Sequence, residues 1–113
     1  MRYTIRIFAI AFSFILFSCK KKATETAVPP CIESKINEFK TYACPNGAFV
    51  NAYRFQNKTV YSFNLGKCGA DLSTNVYDAS CNNLGFLGGI SGNTKINGEE
   101  FSTAVFIRTI WQR

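Results

Sequence analysis

Four cysteines in the C-terminal part of the chain most strongly limit how it can fold. They are Cys31, Cys44, Cys68 and Cys81, and they lie within the last 83 residues at intervals of 13, 24 and 13. A domain of this size buries only about 60–65% of its unfolded surface and is marginally stable without cross-links. In an oxidising compartment an even number of cysteines typically forms disulfides, and four cysteines allow three pairings. Export of the chain would therefore favour a disulfide-stabilised domain.

The N-terminus has the pattern of an export signal. Arg2 and Arg6 supply positive charge, and residues 7–17 form an uncharged run of eleven apolar and small residues. A membrane-spanning helix needs about 20 apolar residues, so this shorter run is typical of a cleaved signal peptide. The stretch Leu16–Cys19 at its end resembles a bacterial lipobox, in which the cysteine is lipidated and becomes the mature N-terminus. We therefore predict a lipoprotein signal peptide at residues 1–18, with Cys19 as the lipid attachment site.

A membrane tether is predicted after the signal peptide. Acyl chains on Cys19 would anchor the protein to a membrane, since each buried CH₂ group contributes ~0.8 kcal/mol. Residues 19–30 have little apolar area and end in two prolines, so we expect a flexible lipidated tether before a folded domain at residues 31–113. Lys20–Lys22 follow the lipidated cysteine. Bacterial lipoproteins that are exported to the cell surface often have acidic residues at this place. We therefore expect an outer-membrane lipoprotein that faces the periplasm.

Most of the positive charge of the chain belongs to this N-terminal part. The formal net charge is +6, and the mature part after residue 18 has 11 basic and 7 acidic residues. Residues 31–113 have 8 basic and 6 acidic residues, a net charge of only +2. Domains that bind nucleic acids typically have a strongly basic surface. The charge distribution therefore argues against a nucleic-acid partner and favours the membrane as a partner, through the anchor.

An amphipathic helix is predicted directly after the tether. Residues 31–42 follow two prolines, which favour a helix start, and Ile32, Ile36 and Phe39 recur at i, i+4 and i+7 on one helix face. A helix of about 12 residues separates its ends by roughly 17 Å. The Cα atoms of a disulfide lie within about 7 Å of each other. This helix would therefore exclude a disulfide between the first two cysteines.

Two segments with alternating aromatic residues predict a β-hairpin. They are Phe49–Phe55 and Thr59–Leu65, joined by a turn at residues 56–58. The expected buried face of this hairpin contains Phe49, Tyr53, Phe55, Tyr61, Phe63 and Leu65. A hairpin centred on Asn57 brings the second and third cysteines near its open end. We therefore prefer the disulfides Cys44–Cys68 and Cys31–Cys81, with Cys31–Cys68 and Cys44–Cys81 as the remaining alternative.

The last third of the chain is predicted to combine loops with short strands. Residues 82–98 contain five glycines, a density typical of tight turns, and Val76–Asp78 has the composition of a short strand. Thr103–Trp111 is rich in β-branched and aromatic residues and predicts a closing strand. Its expected faces are Val105, Ile107 and Trp111 on one side and Phe106 and Ile110 on the other. The predicted fold class is α+β, with an N-terminal helix packed on a small antiparallel sheet made of the hairpin and the C-terminal strand, a glycine-rich loop and disulfides.

The order of these features carries a resemblance to a known family. After the helix with its leading cysteine and the aromatic hairpin come Val76–Asn82 and Gly88–Gly92. The most specific part is the pair Tyr77-Asp78 with Cys81-Asn82, followed by two glycines. The chain resembles, over residues 31–111, a domain-of-unknown-function family of small Bacteroidota lipoproteins. The resemblance implies a lipoprotein and supplies no activity.

Metal and cofactor chemistry has little support in the sequence. There is no histidine, which removes the usual agent of proton transfer near neutral pH. The cysteine intervals do not fit a zinc site, which needs closely spaced pairs. Asp71, Ser73 and Asn75 match the first ligand positions of a calcium loop, but Val76 stands where that loop needs glycine and Asn82 where it needs glutamate. We therefore expect no metal ion and no cofactor.

Three carboxylates are the remaining candidates for catalysis. Asp78 with Glu99 or Glu100 would supply the carboxylate pair that glycoside hydrolysis uses, but the sequence does not fix their separation. The main hypothesis assigns no catalytic residue. It describes a non-enzymatic envelope lipoprotein that serves as a binding or structural module for an envelope protein. The alternatives are a small carboxylate-dependent hydrolase and an inhibitor of a secreted enzyme.

Overall fold

The computed structural model describes residues 27–113, which form one α-helix, seven β-strands and one 3₁₀ helix. The elements are α1 (Pro30–Tyr42), β1 (Phe49–Phe55), β2 (Lys58–Asn64), β3 (Ser73–Asp78), β4 (Asn83–Gly88), β5 (Lys95–Ile96), β6 (Glu99–Glu100), the 3₁₀ helix Phe101–Thr103 and β7 (Val105–Gln112). Five strands form an antiparallel sheet in the order β4-β3-β2-β1-β7, and β5 and β6 form a separate hairpin. The predicted signal peptide, Cys19 and the tether up to residue 26 lie outside the described residues.

The fold is mixed α+β, as expected, but the sheet is larger than the sequence predicts. The expected glycine-rich loop contains a complete strand, β4, which pairs with β3. Gly85 lies in β4 with a φ of +139°, and a Cβ atom there would lie 3.3 Å from Cδ1 of Ile96. Glycine therefore lets Ile96 of β5 lie directly against the sheet. The composition of this segment indicates turns, but the segment forms a strand, and the side chain of Ile96 packs on it at Gly85.

Helix α1 packs on one side of the sheet, which we call the helix side. Its predicted apolar face is confirmed, because Ile32, Ile36 and Phe39 are at most 5% exposed. The sheet residues packed in the same cluster are Val50, Ala52, Tyr61 and Phe63. Burial of one large apolar side chain contributes ~1.5–3 kcal/mol. The contact between α1 and the sheet is therefore a major source of stability.

The hairpin of β1 and β2 forms where it is predicted, but its register differs by one residue. The turn contains only Gln56 and Asn57, with φ angles of +49° and +61°, as in the two-residue turns that favour asparagine. Phe55 consequently pairs with Lys58, as the first pair of the hairpin. A shift of one residue moves side chains to the other face of a sheet. The expected single aromatic face is therefore wrong: Tyr61 and Phe63 lie on the helix side, and Phe49, Tyr53 and Phe55 lie on the opposite side.

The opposite side of the sheet has a smaller apolar cluster. Its buried members are Phe55, Val60, Val76 and Ile96. The 3₁₀ helix adds Phe101, whose ring centroid lies 5.2 Å from that of Phe55. The segment from β5 to the 3₁₀ helix thus covers the sheet around these residues.

Strand β7 pairs with β1 through a register with two β-bulges. Ile107 and Ile110 are the extra residues of the two bulges. Ile107, Ile110 and Trp111 all pack against the helix-side cluster, whereas Val105 is 64% exposed. The predicted face of Val105, Ile107 and Trp111 is confirmed, because Val105 and Trp111 pair with Arg54 and Val50 on the helix side, whereas the predicted grouping of Phe106 with Ile110 is wrong. Each bulge moves the residues beyond it to the other face of the sheet.

Two disulfides link α1 and its following loop to the sheet. Cys31 at the start of α1 is bonded to Cys81 in the turn between β3 and β4, with Cα atoms 6.1 Å apart. Cys44 after α1 is bonded to Cys68 after β2, with Cα atoms 5.5 Å apart. The expected disulfides are thus present, and the two pairs are those that the helix length and the hairpin position favour.

Candidate functional site

A cleft of ≈ 220 Å³ lies between α1 and the end of β7, and we call it the α1–β7 cleft. Its lining residues are Val28, Glu33, Ile36, Asn37, Lys40, Ile110 and Trp111. Apolar side chains of β7 and α1 line one part of the cleft, and three polar side chains of α1 stand along its rim. The cleft therefore combines an apolar contact surface with a small number of polar groups, as binding sites do.

The polar rim follows from the helical period. Glu33, Asn37 and Lys40 recur at i, i+4 and i+7, one position after the three buried residues of α1, so they lie beside its buried face. The β-bulge brings Ile110 to the same side as Trp111. The helical spacing is visible in the sequence and would have indicated the rim. The bulge gives no comparable signal, so the sequence does not indicate the cleft itself.

The indole ring of Trp111 is held in place from several directions. The ring of Phe39 contacts it edge to face, with centroids 5.8 Å apart. The guanidinium carbon of Arg113 lies 5.3 Å from its ring centroid and Nζ of Lys40 lies 5.9 Å from it, within the range of cation–π contacts. Arg113 also donates hydrogen bonds to the carbonyl oxygens of Lys40 and Ala43, at 3.0 and 3.1 Å. These bonds satisfy acceptors at the C-terminal end of α1, so the same residue caps the helix and positions the indole.

The rim of the cleft has opposite charges at its two ends. Glu33 lies in the first turn of α1 and Lys40 in its last turn, where each charge complements the helix dipole. Seven residues of helix separate the two Cα atoms by about 10 Å. A bound group would therefore meet a negative end, a central amide at Asn37 and a positive end.

Asp78, one of the three candidate carboxylates, organises the turn between β3 and β4. Its Oδ1 accepts hydrogen bonds from the backbone N–H groups of Ser80 and Asn82, both at 2.9 Å, and its Oδ2 accepts one from the side-chain amide of Asn82 at 3.0 Å. The side-chain and backbone hydrogen bonds from Asn82, with smaller effects of Ser80 and Lys58, hold the pKa of Asp78 below its usual value. This turn includes Cys81, which has a φ of +63°. The carboxylate therefore shapes the turn to which the start of α1 is bonded.

We expect Asp78 to make the free energy of unfolding depend on pH in the acid range. Its pKa in the folded state lies below the unfolded value of about 3.9, so folding favours the ionised form. The resulting stabilisation is present above that value and is lost as the pH falls through the folded-state pKa. Urea denaturation between about pH 2 and pH 7 should show a smaller loss of stability toward acid for Asp78→Asn than for the unmodified protein. Asp71→Asn, at an exposed aspartate, is the control, and an unchanged pH profile in Asp78→Asn would contradict the expectation.

Glu99 and Glu100, the other two candidate carboxylates, form β6. Glu99 accepts hydrogen bonds from Nε2 of Gln56 at 3.0 Å and from Oγ1 of Thr103 at 3.2 Å. It thereby connects the β5–β6 hairpin with the turn between β1 and β2. Glu100 is exposed. Within residues 27–113, no hydrogen bond joins Asp78 to either glutamate, and each of the two bonded carboxylates instead holds a turn.

Comparison of the sequence with known protein families identifies the family of this chain. Residues 37–113 match the family described as Domain of unknown function (DUF6970), which is more than half of the chain. The chain belongs to the DUF6970 family. The predicted resemblance to a family of unknown function is confirmed to this extent. No curated protein and no solved structure matches the DUF6970 chain.

The matched segment of the DUF6970 chain contains all seven strands and begins within α1. Cys31 therefore lies outside the matched residues, although its partner Cys81 lies inside them. Asn37, Lys40 and Trp111 of the cleft also lie inside the match. Among residues 27–113, no helix has the length and apolar character needed to cross a membrane.

The candidate metal ligands lie in different secondary-structure elements of the DUF6970 domain. Asp71 lies in the loop before β3, whereas Ser73 and Asn75 belong to β3 itself. All four cysteines of the domain form disulfides. In the described part of the chain, no group of three or more histidine, cysteine, aspartate or glutamate residues is placed to hold a metal ion.

Proposed function

We propose that this DUF6970 protein is a non-enzymatic binding module of the bacterial envelope, held at a membrane by a lipid on Cys19. The α1–β7 cleft carries the proposal. It presents the fixed indole of Trp111 beside a rim with a negative group, an amide and a positive group. The partner is an envelope protein that inserts an apolar side chain between α1 and β7.

The size of the cleft supports a protein partner over a free small molecule. Pockets for small molecules typically measure about 300–1,000 Å³, whereas this cleft measures ≈ 220 Å³. Protein interfaces instead depend on a few apolar or aromatic anchor side chains that enter small pockets, with polar contacts around them. Glu33 and Lys40 would supply such contacts and fix the direction in which the partner lies along α1.

The bonding of the candidate carboxylates favours a binding role over hydrolysis. Both oxygens of Asp78 accept hydrogen bonds from its own turn, and both oxygens of Glu99 accept hydrogen bonds that join two turns. The low pKa of Asp78 keeps it ionised, whereas a general acid for glycoside hydrolysis needs a raised pKa. These two carboxylates thus serve the fold.

The lipid anchor is tested by the mass of the intact protein extracted from membranes. We expect a mass that corresponds to loss of residues 1–18 and acylation of Cys19, with two disulfides that open on reduction. The topology is tested by protease treatment of intact cells, which should leave a periplasm-facing domain uncut. An unacylated mass, or removal of the domain from intact cells, would contradict the proposed attachment or orientation.

The proposed partner is tested by a photo-crosslinking residue at Asn37 in the full chain, expressed in its own envelope. We expect one discrete adduct with an envelope protein, whose contact peptide contains an apolar side chain when the adduct is analysed by mass spectrometry. The matched control places the same residue at Ser34, which is exposed on α1 but does not line the cleft.

The variant Lys40→Glu reverses the charge of one rim position without changing the buried face of α1. We expect it to reduce the yield of the Asn37 adduct severalfold. The partner group that pairs with Lys40 would be negatively charged, and a glutamate at position 40 would repel it. An equally strong adduct from Ser34, or an Asn37 adduct that Lys40→Glu leaves unchanged, would contradict the assignment of the cleft as the binding site.

A further inference from the structure

The part of the opposite side that lies away from the β5–β6 hairpin has an unusual composition. Two rows of directly paired residues run side by side across the strands there. One contains Thr109, Asn51 and Ser62, and the other contains Gln112, Phe49, Asn64 and Thr74. We define the amide patch as Phe49, Asn51, Asn64, Thr74, Thr109 and Gln112. None of these residues is charged, and Phe49 is half-buried yet belongs to neither apolar cluster.

We propose that the amide patch binds a neutral oligosaccharide. Each sugar hydroxyl both donates and accepts hydrogen bonds, and the side chains of Asn, Gln and Thr likewise offer donors and acceptors. The C–H face of a sugar ring is apolar and fits against an aromatic face such as that of Phe49. A charged ligand would lose water here without meeting an opposite charge within the patch, which is unfavourable.

The polar groups of the patch are partly held in position. Oγ1 of Thr109 donates a hydrogen bond to Oδ1 of Asn51 at 2.9 Å. Nδ2 of Asn64 donates to Oγ1 of Thr74 at 3.2 Å, and Oδ1 of Asn64 accepts from the backbone N–H of Gly66 at 2.9 Å. These bonds reduce the rotamer freedom that a ligand would otherwise have to remove on binding. Gln112 is exposed at the edge of the sheet, where its amide is accessible to a ligand.

The strand spacing gives the patch a direction. Neighbouring strands lie about 4.8 Å apart, which is close to the length of one unit in a β-linked glycan. A chain that runs across β7, β1, β2 and β3 would therefore meet one strand with each successive sugar. Phe49 lies on β1, between Gln112 of β7 and Asn64 of β2. The bound sugar at Phe49 would stack on its ring while its neighbours bind the two amides.

The test is calorimetric titration of the full-length protein in detergent with three hexasaccharides. Chitohexaose and cellohexaose are neutral, and a hyaluronan hexasaccharide is anionic. We expect at least one neutral hexasaccharide to bind with a Kd on the order of 0.1 mM and hyaluronan to bind at least tenfold more weakly. Failure of both neutral ligands to bind at millimolar concentration, or tighter binding of hyaluronan, would overturn the proposal.

Two substitutions locate the binding site. Phe49→Ala should raise the Kd about tenfold through loss of stacking, and the exposed Gln112→Ala should raise it severalfold without affecting the fold. Phe86→Ala is the matched control, because Phe86 is also an accessible aromatic residue but lies on the helix side. Lys40→Glu should leave glycan binding unchanged, because the α1–β7 cleft and the amide patch lie on opposite sides of the sheet. Binding that survives both Phe49→Ala and Gln112→Ala would show that the patch is not the site.

Discussion

Removing the disulfide between Cys31 and Cys81 is expected to lower the free energy of unfolding by about 3.5 kcal/mol. The two residues are 50 positions apart, and the nested Cys44–Cys68 bond shortens the loop that this disulfide closes in the unfolded chain to about 27 positions. The bond between Cys44 and Cys68 encloses 24 positions, and the same loop-closure entropy gives about 3.5 kcal/mol. Domains of this size have a total stability of about 5–15 kcal/mol. Loss of both bonds should therefore leave a large fraction of the molecules unfolded at 25 °C.

The measurement is urea denaturation of the full-length protein, followed by the fluorescence of Trp111, the single tryptophan of the chain. Alanine is the better replacement, because Cys44 is 2% exposed and serine would bury a hydroxyl group there. The unmodified protein, once reduced, should behave as the variant in which the four disulfide-bonded cysteines are all replaced by alanine. A loss of less than about 1 kcal/mol for either double variant would contradict the loop-closure argument.

The helix was predictable because its signals are local. Ile32, Ile36 and Phe39 occupy one helix face by spacing alone, and the two prolines before them mark the start within one residue of the observed Pro30. The preferred disulfide pairs then followed from the length of that helix and from the position of the hairpin. These inferences need only distances along the chain.

The sheet was less predictable because its register depends on single residues. A two-residue turn at Gln56 and Asn57, in place of the expected three residues, moves the aromatic side chains of β1 to the side opposite those of β2. Within β7, two bulges place Ile110 on the helix side, away from the face of Phe106. Composition gives little indication of a bulge, and in β4 the glycines indicate turns although the strand pairs with β3.

The α1–β7 cleft could be predicted only in part for the same reason. Its rim follows from the helical spacing of Glu33, Asn37 and Lys40, whereas its floor depends on the bulge at Ile110. The candidate carboxylates were identified by residue type, which cannot distinguish a catalytic group from one that holds a turn. Only the hydrogen bonds of Asp78 and Glu99 make that distinction.

Replacing Phe39 with alanine is expected to lower the free energy of unfolding by about 3–5 kcal/mol. Phe39 is 2% exposed, and its ring contacts those of Phe63 and Trp111 edge to face, at centroid distances of 5.3 and 5.8 Å. Truncation removes these contacts and leaves a cavity between α1 and the sheet. Tyr42→Ala is the control, because Tyr42 contacts the same ring at 5.4 Å but is 59% exposed, and it should cost less than about 1 kcal/mol.

The same position connects the core with the proposed binding site. Phe39→Leu keeps an apolar side chain and should cost only about 1–2 kcal/mol, so the variant remains folded. It removes the aromatic edge that supports the indole of Trp111, and we therefore expect altered fluorescence of the folded protein and a weaker crosslink from Asn37. The ring of Tyr42 contacts Phe39 and not the indole. Tyr42→Ala should therefore change neither the fluorescence nor the crosslink. An unchanged crosslink and unchanged fluorescence in folded Phe39→Leu would mean that the floor of the cleft does not depend on the core behind it.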